Sequence, residues 1–75
     1  MIFIMKLKEG QRVRILEESS GFFENSEGTI QKIDKDAAGN NIYGIIFYKF
    51  VDPLLQEHGK KTTLYYFNES EMIII

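Results

Sequence analysis

Ile42-Tyr43-Gly44-Ile45-Ile46-Phe47-Tyr48-Lys49-Phe50-Val51 is the longest stretch of β-branched and aromatic residues in the chain. Such residues favour the pleated, half-buried surface of a sheet, so this stretch predicts a strand. Alternation assigns Tyr43, Ile45 and Phe47 to one side and Ile46, Tyr48 and Phe50 to the other. Both sides are apolar, which predicts a central strand or one covered on its second face by a loop or partner. Asp52-Pro53 ends it, because proline has no amide proton for a ladder.

Upstream, Asp36-Ala37-Ala38-Gly39-Asn40-Asn41 carries the residue types that tolerate positive φ and predicts a hairpin. Before it, Gly28-Thr29-Ile30-Gln31-Lys32-Ile33 predicts a strand whose Ile30 and Ile33 break period-two parity, which predicts a bulge between them. Val13-Arg14-Ile15-Leu16, fed by a turn at Glu9-Gly10-Gln11, predicts the first strand of the sheet. Residues 17–26 are a long polar loop interrupted by Phe22-Phe23, one of which is expected to fold over the core while the other is exposed. Downstream, Leu54 to Gly59 is too short for an argument from helix propensity and is read as a loop. Thr62 to Phe67 is a strand, Asn68 to Glu71 a tight turn, and Met72 to Ile75 a last apolar strand. That strand needs cover from the first strand or from Ile2 to Met5, either of which would close the sheet and remove an edge.

The 75 residues leave room for one domain, with 44% apolar and 13% aromatic residues and a formal charge of −2. Five or six short strands on this plan predict an all-β fold: a small, strongly bent antiparallel SH3-like barrel spanning 1–75. Met1 to Met5 is expected to be an extra strand or to precede the true start at Met5. It lacks the basic region and cleavage site of a signal peptide. No apolar run reaches the roughly 18 residues of a membrane span, so a cytoplasmic protein without membrane contact is expected. With no cysteine, disulfides and thiolate metal sites are excluded.

Gly10-Gln11-Arg12-Val13-Arg14-Ile15-Leu16, Glu27-Gly28-Thr29-Ile30 and Phe67-Asn68-Glu69-Ser70-Glu71-Met72 resemble the small SH3-like barrels grouped around photosystem I reaction-centre subunit IV. More loosely they resemble the KOW-type barrels of ribosomal and transcription proteins. The first resemblance runs from about Gly10 to the end of the chain and implies the barrel fold. It also implies docking of an acidic electron-carrier protein, with one basic residue in the hairpin after the second strand. Here that hairpin holds Asp36, Asn40 and Asn41, so the basic contact does not carry over. The KOW resemblance implies RNA or protein binding through the loop between the first two strands. That loop holds Glu17, Glu18, Glu24 and Glu27, which would repel phosphate.

Catalytic chemistry finds little material. The single histidine, His58, stands beside Glu57, Gly59 and Lys60 and reads as a solvated loop residue. The pairs Glu17-Glu18 and Asp34/Asp36 read as surface charge, because a barrel this small is filled by its own side chains. No calcium-loop spacing is present, and no metal or cofactor is expected. Surface recognition remains. Inward Tyr43, Phe47, Tyr65 and Phe67 leave Tyr48, Phe50 and Tyr66 outward, and with Phe22 or Phe23 these predict an exposed aromatic face for a protein partner. The alternative is single-stranded nucleic acid bound by Lys6, Lys8, Arg12, Arg14 and Lys32 with Tyr48 stacking. Residues 1–16 carry four of those cations against Glu9, whereas residues 17–36 sum to −4. The pI near 5.3 disfavours that alternative. A monomer or a weak homodimer through the terminal strands is expected.

Overall fold

A computed structural model describes residues 7–16 and 23–75. In chain order the elements are β1 (Arg12–Ile15), β2 (Glu27–Lys35), β3 (Asn41–Lys49), α1 (Pro53–His58), β4 (Tyr65–Asn68) and β5 (Met72–Ile74), with a 3-10 turn at Glu69–Glu71 before β5. The fold is all-β apart from α1. Among the described residues five strands form one antiparallel sheet in the order β4-β3-β2-β1-β5. Closure expected from the terminal strand is not observed among the described residues: β5 does pair with β1, but β4 and β5 remain there as edges joined through the 3-10 turn. The contribution to closure expected of Ile2 to Met5 lies outside the described residues.

The β2–β3 hairpin is the backbone of the sheet. Its turn is built by Asp36, whose carboxylate accepts from the amides of Ala38 and Asn40, both at 2.9 Å. Gly39 there sits at φ 84, a region a side chain would strain. In the ladder Ile30 pairs with Ile45 and Lys32 with Gly44, so Gln31 is the extra residue of the expected bulge. A second shift was not anticipated. Gly28 pairs with Phe47 and Glu27 with Lys49, which makes Tyr48 an inserted residue on β3.

That inserted residue corrects the assignment of Phe50. Uninterrupted alternation sends Phe50 outward, but the bulge puts Tyr48 and Lys49 on the outer side together and returns Phe50 to the interior, where it is 1% exposed. The core comprises Leu7, Val13, Ile15, Ile30, Tyr43, Ile45, Phe47, Phe50, Phe67 and Met72. Phe47 is its hub. The Phe47 ring lies 5.3 Å from those of Phe23 and Phe50 and 5.9 Å from those of Tyr65 and Phe67, centroid to centroid. Phe23 is thus the loop phenylalanine that folds over the core, as one of the pair was expected to do. Phe22 lies outside the described residues.

Two further corrections concern the second half of the chain. Leu54 to Gly59 is not a loop: Asp52 caps a helix over Pro53–His58 by accepting from the Leu54 amide at 2.8 Å, and Pro53 occupies its first turn. Leu55 ties this helix to the core. The strand expected from Thr62 begins only at Tyr65. Between β1 and β2, Ser26 is fully buried. Its carbonyl accepts from Ile15 at 3.0 Å, its amide donates to the Phe23 carbonyl at 3.0 Å, and its Oγ accepts from the Val51 amide at 3.1 Å.

Candidate functional site

The outer face of the sheet is set by register. Across β4, β3 and β2 runs the row Tyr66, Gly44, Lys32, and further along β3 come Ile46 and then Tyr48, beside Thr29 and Glu27 of β2 and Arg12 and Arg14 of β1. Gly44 is a notch. A Cβ there would stand 3.1 Å from Cε1 and 3.2 Å from Cζ of Tyr66, so the Tyr66 ring lies across the glycine. This cross-strand pairing buries the bare backbone of Gly44 and leaves Tyr66 43% exposed.

At the other end, Tyr48 is 41% exposed and held in place by charged neighbours. Arg12 donates from Nε and Nη2 to the Tyr48 phenol oxygen at 3.0 and 2.9 Å, and its guanidinium carbon is 5.2 Å from the ring centroid. The Tyr48 hydroxyl leans toward Glu27 Oε1 at 3.4 Å, and Arg14 Nε donates to Glu27 Oε2 at 3.3 Å. Glu27 therefore orients both groups. The Arg12 guanidinium is held above its usual pKa, chiefly by the hydrogen bond to Tyr48 and then by the charge interaction with that phenol. Lys32 is likewise raised, first by its hydrogen bond to Asp34 and then by that carboxylate's charge, with Nζ to Oδ2 at 3.2 Å. Both groups are cationic at neutral pH with or without these shifts, which reflect their pairing. Each such surface pair is worth little stability, so their consequence is orientation.

The structure places Tyr48 and Tyr66 on one face, toward its two ends, with half-buried Ile42 and Ile46 between the strands' charged margins. It removes Phe50 and places Phe23 on the opposite, inner side. Of the predicted cations, Arg12, Arg14 and Lys32 share this face and are each engaged by a phenol or a carboxylate. Lys8 is exposed in the turn before β1, and Lys6 lies outside the described residues. So do Glu17 and Glu18 of the long loop. Glu27, assigned to that loop from sequence, belongs to β2 and to the face itself. Gly44 was overlooked; a lone glycine inside a strand signals close approach of a neighbour.

Elsewhere, His58 Nε2 is 3.9 Å from Glu57 Oε2 with both side chains more than 70% exposed. Among the described residues there is no enclosed pocket and no cluster of His, Asp or Glu side chains with metal-binding geometry. No helix among them is long and apolar enough to cross a membrane. No protein-family model, curated protein or solved structure matches the chain.

Proposed function

We propose that this chain is a noncatalytic binding module of SH3-like barrel architecture whose outer sheet face docks a protein partner through Tyr48 and Tyr66. The strand order, the bulged β2 and the 3-10 turn leading into β5 support the barrel reading. The observation that carries the functional reading is the pair of tyrosines, each more than 40% exposed and each fixed from behind, one by Gly44 and one by Arg12 and Glu27. Large rings already held in one orientation lose little entropy on binding and supply the anchors typical of interfaces.

The double variant Tyr48→Ala/Tyr66→Ala should lose the partner that the wild-type protein captures, while its urea midpoint corresponds to a change within about 1 kcal/mol. Capture unchanged by the double variant removes this face from the interaction. Nucleic acid is the second reading, favoured only by the convergence of Arg12, Arg14 and Lys32 beside Tyr48. In a salt titration against single-stranded oligonucleotides, the protein-docking reading expects no binding even at low salt, and a steep salt-dependent affinity would replace it.

A further inference from the structure

The two edges of the sheet are not equivalent, and the difference lies in their main-chain groups. In the β1–β5 ladder the Leu16 amide donates to Glu71 at 2.8 Å and the Ile75 amide to Arg12 at 3.1 Å. With Arg14 opposite Ile73 and Val13 opposite Ile74, antiparallel alternation directs the N–H and C=O of Ile73 and Ile75 toward β1 and those of Ile74 away from it. The Met72 amide is already used, donating to the Glu69 carbonyl. Among the described residues no strand lies beyond β5, so Ile74 presents one donor and one acceptor at the edge.

Natural edges are normally blunted by keeping the strand very short or by lysine, proline, a bulge or an inward charge. The β4 edge is protected in part: the Asn68 amide there is occupied by the Glu71 carboxylate at 2.9 Å. β5 is short, at three residues, but Met72-Ile73-Ile74-Ile75 holds no lysine, proline or inward charge, and its side chains carry no charge.

We propose that two copies of this chain pair antiparallel through β5 about a two-fold axis at Ile74. That register is the one that satisfies both groups of Ile74, its N–H donating to the Ile74 carbonyl of the second copy and its carbonyl accepting in return. A register centred on Ile73 would face the Ile74 carbonyl with the Met72 amide, which is taken. About the Ile74 axis, Ile73 stands beside Ile75 of the second copy on the outer face, and Ile74 beside its own counterpart, so apolar meets apolar with no like charges opposed. An uncharged, self-complementary strand suits a second copy of itself. With so short a contact the dimer is weak and concentration-dependent.

Sedimentation between about 10 µM and about 1 mM should show a reversible monomer–dimer equilibrium. Ile74→Pro deletes the outward N–H without touching the β1 ladder and should weaken dimerisation at least about tenfold. Ile75→Glu, which adds a carboxylate at an exposed edge position facing Arg12 within the monomer, should do the same and guards against a folding defect in the proline variant. Amide exchange at Ile74 should slow as the protein is concentrated. A monomer throughout the range, a dimer indifferent to both substitutions, or an Ile74 amide protected equally at every dilution would each overturn the proposal.

Discussion

Phe47→Ala should cost about 3 to 5 kcal/mol in a urea titration, the largest loss expected of any single truncation in this chain. Phe47 is fully buried, and its ring stands within 6 Å of four other aromatic rings, so removal leaves a cavity bordered by stiff side chains that collapse poorly. A domain of this length has a total stability of about 4 to 11 kcal/mol at the usual per-residue value, so at the lower end the variant is substantially unfolded at room temperature. Phe47→Leu, which refills part of the space, should recover much of the loss. A cost under about 1.5 kcal/mol for alanine would show that the aromatic cluster is not the centre of the core.

Gly28→Ala is expected to be nearly as damaging, at about 2 to 3 kcal/mol, although it adds a single methyl group. A Cβ at position 28 would lie 2.6 Å from the Ile46 carbonyl oxygen, 2.6 Å from Ile45 Cγ2 and 3.0 Å from Phe47 Cα. Two of these three are main-chain atoms of the partner strand, which cannot swing aside without opening the ladder. Gly39→Ala is the control: its Cβ would meet nothing, and only the backbone penalty at φ 84, about 1 kcal/mol, applies. Thermal melts of the two variants should separate clearly, with Gly28→Ala the lower. Equal melting temperatures would mean that β2 and β3 part more easily than their register implies.

Strand identity was legible wherever local chemistry and alternation agreed. Tyr43, Ile45 and Phe47 face inward and Tyr48 outward as period-two parity requires, and the bulge at Gln31 was visible because Ile30 and Ile33 cannot share a face without it. Phe50 was misplaced for the opposite reason. The insertion at Tyr48 is set by where Glu27 and Gly28 meet the strand, a relation between residues twenty apart that no local period records. The helix at Pro53–His58 was legible in principle, since an aspartate followed by proline is a helix-start signal; the sequence reading took Asp52-Pro53 only as the end of the strand and the segment after it as too short. Closure was inferred from the apolar ends of the chain, yet hydrophobicity asks only that a side chain be covered and does not say by which strand. Of the candidate face, the tyrosines and cations could be named in advance. Their partners could not, because Arg12 to Tyr48 and Arg14 to Glu27 are contacts made by folding.

The hydroxyl of Ser26 joins the corner between β1 and β2 to residue 51, on the approach to the helix, while the same residue's main chain holds Ile15 and Phe23. Three separate stretches of polypeptide, at residues 15, 23–26 and 51, thereby share one small latch. Fraying at that corner cannot proceed one segment at a time, so the amides of Ile15, Ser26 and Val51 should become accessible to solvent in a single concerted opening.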